Sequence, residues 1–235
     1  MRDSPAGLHT DLTMPSRRWG VACLFARRWA FYGPWMSGCK GELHASVAVI
    51  GRSDEHPLPD ISFFNPKVFE TLIMHYLNDR YGYENWEGHH SHVPRYHGPV
   101  DWKIHRHLPV PSASFKICGR GESLRDLYLR DYLFVFPVSD QYFVEVCFIQ
   151  DFYSRDKKGN LAFDKTPIQE LQDKIFRSIT LELGPEAQAS VEKVKSKVGS
   201  LHMCKDFAPL KWPTNIYPPE ASGSPEIRQA LRNDA

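Results

Sequence analysis

Histidine crowds one stretch of this chain: His89, His90, His92 and His97 in "GHHSHVPRYH", then His105 and His107 in "KIHRHLP". Imidazole is a general base, a proton carrier and the commonest side-chain ligand for metals, so this density raises metal-assisted hydrolysis first. A zinc centre needs three or four donors held at about 2.0–2.3 Å by a rigid scaffold. His90 with His92, and His105 with His107, have the spacing that puts two rings on one face of a strand. Glu84, Glu87 and Asp101 are the acids near enough in sequence to complete a shell. Zinc held by His89, His90, His92, His105 and His107 is thus the alternative to be weighed. Against it, Pro94 and Pro99 make a regular strand over 89–97 doubtful. Loop imidazoles in water also titrate near 6.5 with no partner at all. The expectation is a domain without a metal cofactor.

"EGHHSHVPR" resembles the first motif of the HNH or GHH nucleases, which implies His89 and His90 as a metal ligand and a general base. The family's later Asn and metal-binding His are not matched. Asp101 and His105 arrive too soon, and no Asn occupies 86–139.

Other catalytic patterns are weaker. Cys118 ends an apolar run before Gly119, where a cysteine is more often packed than reactive. "GRGES" lacks the Lys-Ser/Thr of a P-loop and the third glycine of a dinucleotide turn. Asp126 and Asp131 sit in a polar segment and are expected to be solvated, and Lys193, Lys195 and Lys197 to form an ordinary helix surface. Five cysteines, Cys23, Cys39, Cys118, Cys147 and Cys204, are scattered without a CxxC pair, which favours a reducing, cytoplasmic compartment. Net charge is +1, but residues 1–35 hold five Arg against Asp3 and Asp11, leaving 24 basic and 26 acidic residues in the rest. A body so near neutral has no field for a nucleic-acid backbone.

The elements that must position any site read as follows. "HASVAVIG" (44–51) is a short strand. Asn65 caps a helix with Pro66 at its first position, an apolar stripe of Val68, Phe69, Leu72, Ile73, Tyr76 and Leu77, and Gly82 at its end. Residues 83–112 show neither period and read as a long irregular loop rich in His and Trp. "SASFKICG" (112–119) is a strand, 120–131 is ambiguous, and "YLFVFPVSDQYFVEVCFIQDF" (132–152) is a hairpin turning at Ser139-Asp140 with both faces apolar. Thr166-Pro167-Ile168-Gln169 has the form of a capping box opening a helix that Gly184-Pro185 ends. Ala187, Val191, Val194 and Val198 trace another. The sum is an α+β fold: an antiparallel sheet with helices packed on one face.

The domain is expected over 41–204, with a proline-rich tail over 205–235. Residues 1–40 are expected outside the fold. Arg27-Arg28 interrupts the apolar run from Val21, so neither a membrane span nor a signal peptide fits, and translation from Met36 would leave 200 residues. Export through Ser16-Arg17-Arg18, or a lipid anchor on Cys39 in "MSGC", is the alternative to a cytoplasmic chain.

The run "DWKIHRHLPVPSASFKI" with "YLFVFPVSDQYFVEVCFIQDF" resembles small bacterial α+β proteins of the immunity type, which neutralise the toxins of interbacterial competition. That resemblance implies a non-enzymatic protein whose partner is a cognate toxin, bound through a loop or a sheet face. Exposed Trp, Tyr and Arg anchor protein interfaces. The candidate contact residues are therefore Trp86, Arg95, Tyr96 and Trp102, with Glu145, the acid that interrupts an apolar strand face.

Overall fold

A computed structural model describes residues 18–34, 37–53, 61–81, 95–120 and 127–205. Its strands are β1 (Trp19–Tyr32), β2 (Cys39–Arg52), β3 (Tyr96–His105), β4 (Ser112–Arg120), β5 (Leu127–Pro137) and β6 (Tyr142–Phe152). Its helices are α1 (Pro66–Tyr81), α2 (Thr166–Arg177) and α3 (Pro185–Val198). The six strands form one antiparallel sheet in the order β1-β2-β6-β5-β4-β3. The hairpin β1-β2 leads into α1, which crosses to the far edge. The meander β3-β4-β5-β6 then returns and closes on β2, with Gly41 opposite Phe152 and Gly51 opposite Tyr142.

This is the α+β class with the antiparallel sheet that the strand and helix periods predict. The helices divide between the two faces. Alternation along β5 and β6 makes the division visible: Leu133, Val135, Phe143 and Cys147 pack with α1. Phe134, Phe136, Val144, Val146 and Phe148 pack with α2 and α3. The Phe143 ring is the hub of the α1 face, meeting Tyr76 at 5.2 Å, Phe69 at 5.8 Å and Trp19 at 6.2 Å between ring centres.

Local chemistry explains the elements. The Lys67 amide donates to Asn65 Oδ1 at 3.1 Å, the cap that opens α1. At α2 no capping box forms. Lys165 precedes the helix, and the Thr166 amide donates to Asp164 Oδ1 at 2.9 Å. That helix stops at Arg177 because the apolar period changes from 3.6 to 2. Ile179, Leu181 and Leu183 then alternate in extended chain over the α2 and α3 face.

Two expectations about boundaries are corrected. Within residues 1–40, Trp19–Tyr32 is not outside the fold: it is β1, paired along β2 from Trp19–Arg52 to Tyr32–Cys39. Trp19 is 3% exposed, and its Nε1 donates to Asp79 Oδ2 in α1 at 2.8 Å. A chain begun at Met36, or cleaved before Cys39, would lack this strand and its anchor. Residues 83–112 are not one loop either, since β3 lies within them. Register shifts between His97 and Val100 and between Val100 and Lys103 erase the alternation that would have revealed β3. Its place at the sheet edge tolerates Pro99.

Replacing Trp19 with Phe keeps a ring in the core and removes the N–H that Asp79 accepts. Urea unfolding should show a loss of about 1–3 kcal/mol, as for a buried acceptor deprived of its donor. No change would place Trp19 outside the folding unit.

Candidate functional site

The end of α1 brings charge into the interior. Arg80 donates to Glu145 Oε1 in β6 and, at 3.0 Å, to Tyr76 Oη, and its guanidinium lies 5.1 Å from the Tyr81 ring centre. The Tyr81 hydroxyl donates to Asp131 Oδ2 in β5. Glu145 and Asp131 are only 4% and 2% exposed, and Glu145 stands opposite Ala48, whose small side chain leaves room for Arg80. Burial works against the Arg80 charge, but the field of the Glu145 carboxylate outweighs it and raises the guanidinium above its ordinary range. Burial pushes the Tyr76 and Tyr81 phenols well up and raises the Cys147 thiol, so none of the three supplies an anion near neutral pH. The arrangement pins α1 to the sheet and offers no nucleophile.

A second polar set lies on the same sheet face beyond the α1 core. Glu42 and His44 of β2 and Asp151 of β6 are, among the described residues, the one group of His, Cys, Asp or Glu close enough to share an ion. His44 Nε2 is 3.3 Å from Glu42 Oε2 and 3.4 Å from Asp151 Oδ2. A tetrahedral zinc with bonds of about 2.0–2.1 Å separates its ligands by about 3.4 Å, so the spacing alone suits a metal. Glu42 Oε2 is already engaged, however. It pairs with the Arg28 guanidinium and accepts the Tyr153 hydroxyl at 2.7 Å. Burial opposes the Glu42 charge, and hydrogen bonds from Tyr153, Arg28 and His44 overcome it, holding the carboxyl below its usual range. Arg28 thus provides the cation for this cluster, which ties β1, β2 and β6 together through charge.

The residues singled out from sequence separate as follows. Trp86, His89, His90 and His92, with Glu84 and Glu87, lie outside the described residues. Tyr96 is a core residue, 3% exposed, with its ring 5.7 Å from that of Tyr81. Trp102 stacks on Phe115 at 5.4 Å and donates Nε1–H to the Cys204 carbonyl at 3.0 Å. Arg95 lies over the Tyr96 ring at 5.2 Å. Glu145 and Tyr96 therefore face inward, where no partner can reach them, and Asp131 is buried instead of solvated. Cys118 is half-buried, and burial raises its thiol. Asp101 pairs with Lys116. His105 and His107 do meet, with ring centres 5.7 Å apart, but over Phe134 and Phe176. His105 Nε2 also contacts Ser114 Oγ at 2.7 Å, and no third ligand joins the pair among the described residues. Glu42 and Asp151 carry no joint signal along the chain because 109 positions separate them. The available signal was "GELHAS", two polar residues spaced i, i+2 in an apolar strand.

No family model, curated protein or solved structure matches the chain. No helix among the described residues is long and apolar enough to cross a membrane.

Two outcomes follow from this geometry. Glu145→Leu strands a buried guanidinium and should cost about 3–5 kcal/mol in urea unfolding, whereas Arg80→Met with Glu145→Leu should recover at least half. Equal losses in both variants would deny the pairing. Burial, then the neighbouring charges of His107 and Lys103, lower His105 to about 4. Between pH 6.5 and 4 the unfolded chain binds this proton more readily than the folded one. The stability contributed by His105 is then complete above pH 6.5 and lost as pH falls towards 4. It amounts to about 2 kcal/mol after allowance for partial exposure. His105→Phe should flatten that limb of the stability profile.

Proposed function

We propose that the protein works by contact, as a non-enzymatic domain that adds a partner protein's strand to the outer edge of β1. One observation carries the reading. β1 is 14 residues long and ends the sheet, so its outer row of amide and carbonyl groups has no strand partner among the described residues. Natural edge strands are commonly shortened, interrupted by proline or guarded by charge. This one contains no proline, its guards being the charges of Arg27 and Arg28 and the register shift between Cys23 and Phe25, and Cys23–Arg28 are all exposed. Leu24 is 61% exposed, Phe25 46% and Tyr32 73%. Strand addition draws affinity from main-chain hydrogen bonds and specificity from alternate side chains. Arg27 selects a partner strand that carries acids among apolar residues, since Arg28 is already balanced by Glu42 and Arg27 makes no ion pair among the described residues. The resemblance to immunity proteins supports a toxin as that partner. It also supports occlusion of the toxin as the outcome.

The test is co-purification with the product of the adjacent gene, using the wild type and Phe25→Asp with Arg27→Glu. Both positions are exposed, so unfolding midpoints should match while binding falls by about 10-fold or more, as for central interface anchors. Equal binding by the variant, or none by the wild type, would overturn the reading.

A further inference from the structure

A cleft of about 270 Å³ opens where the β3-β4 turn meets the chain that follows α3. Its position depends on Gly199. With φ at +74°, this residue ends α3 in the left-handed conformation that glycine adopts without strain, and its amide donates to the Lys195 carbonyl at 2.8 Å. The chain then doubles back over the sheet edge and is clamped at Cys204. Trp102 donates to the Cys204 carbonyl at 3.0 Å, and the Cys204 amide donates to Glu70. Met203, Leu108 and Val110, each under 8% exposed, make an apolar floor. Arg106, Lys195, His105 and His202 stand around it, and no carboxylate lines the cleft among the described residues.

The charges there are unbalanced. Arg106 is exposed and makes no ion pair or side-chain hydrogen bond among the described residues. Lys195 reaches only Glu192, at 4.0 Å, with both side chains more than half exposed. The C-terminal end of α3 contributes about half a negative charge, which two full cations at Arg106 and Lys195 exceed.

From this lining we infer that the cleft is a binding site for an anionic group, a carboxylate or phosphate carried on a small apolar body. Arg106 and Lys195 pair with the anion, and Leu108, Val110 and Met203 take the apolar part. The site does not depend on the β1 edge. The same chemistry is offered by a free organic anion and by an acidic side chain of a protein, so two probes are needed.

Phenyl phosphate and the peptide acetyl-Phe-Asp-Phe-amide would each be titrated into the 15N-labelled full chain, with benzyl alcohol as the uncharged control. At least one anion should shift the amides of residues 106, 195 and 199–203, with a Kd on the order of 1 mM as expected for a ligand of this size. Arg106→Gln with Lys195→Gln should weaken binding by about 10-fold or more while leaving the unfolding midpoint in place. Tighter binding of phenyl phosphate assigns the cleft to free organic anions, and tighter binding of the peptide to acidic side chains. The inference fails if neither anion shifts these amides, if the double variant binds as the wild type does, or if benzyl alcohol produces the same shifts.

Discussion

The pairing of β2 with β6 is the constraint on which the rest of the molecule depends. It joins residues about a hundred positions apart, Gly41–Gly51 with Tyr142–Phe152, and converts a hairpin and a meander into one sheet. Closing so long a loop costs entropy that grows only slowly with its length. The return must come from burial, and β6 is placed to supply it. Phe143 and Cys147 are covered by α1, while Val144, Val146 and Phe148 are covered from the other side by α2 and α3. Each fully buried side chain of this size contributes about 1.5–3 kcal/mol, so a strand enclosed on both faces dominates the balance.

Enclosing a strand on both faces makes a charge within it costly. Glu145 stands in the middle of β6, and the fold tolerates it because Arg80 descends from α1 onto it through the space left by Ala48. Such a pair adds little to stability compared with apolar residues of the same shape, yet a single broken partner is expensive. Its effect is on register. A slip of one residue between β2 and β6 would carry Glu145 to the face packed by α2 and α3, where it would lie opposite Val47 or Val49 instead of meeting Arg80. Asp131 and Tyr81 repeat the arrangement on β5, so the last turn of α1 is tied to two neighbouring strands at once.

Much of this was legible in the chain, and what was not has physical reasons. The α1 stripe and its Asn65 cap, the hairpin at Ser139-Asp140 and the two-sided apolar character of β5 and β6 are local patterns, and local patterns survive in sequence. β3 was hidden by its bulges, and the alternation of β1 was masked by Arg27-Arg28 and by the shift of register between Cys23 and Phe25. Edge strands have one pairing partner and weaker burial, so their composition is less constrained. The polar clusters failed for a different reason. Arg80 with Glu145 and Glu42 with Asp151 are contacts across the sheet or between layers, and no spacing rule along the chain encodes them. Histidine is densest over 89–107, whereas the one group of possible ligands that the fold gathers among the described residues carries a single imidazole, His44, with Glu42 and Asp151 and their partners Arg28 and Tyr153.

That cluster bears on how the outer strand can serve as a docking edge. A free edge strand frays, and ordering each backbone residue on binding would cost about 1–2 kcal/mol. Here β1 is held at both ends before any partner arrives. Trp19 is locked to Asp79 at one end, and Arg28 is locked to the Glu42 and Tyr153 set towards the other. The five exposed residues between these anchors, Cys23–Arg27, are thus presented on a stiffened backbone. Preorganisation of this kind removes an entropic cost from association without adding a contact. It also separates two roles along one strand: inward-facing groups at the ends keep β1 in the sheet, and outward-facing Leu24, Phe25 and Arg27 remain for recognition. In the proposed reading, the charge network is what allows the domain to leave so long an apolar edge open and still hold its shape.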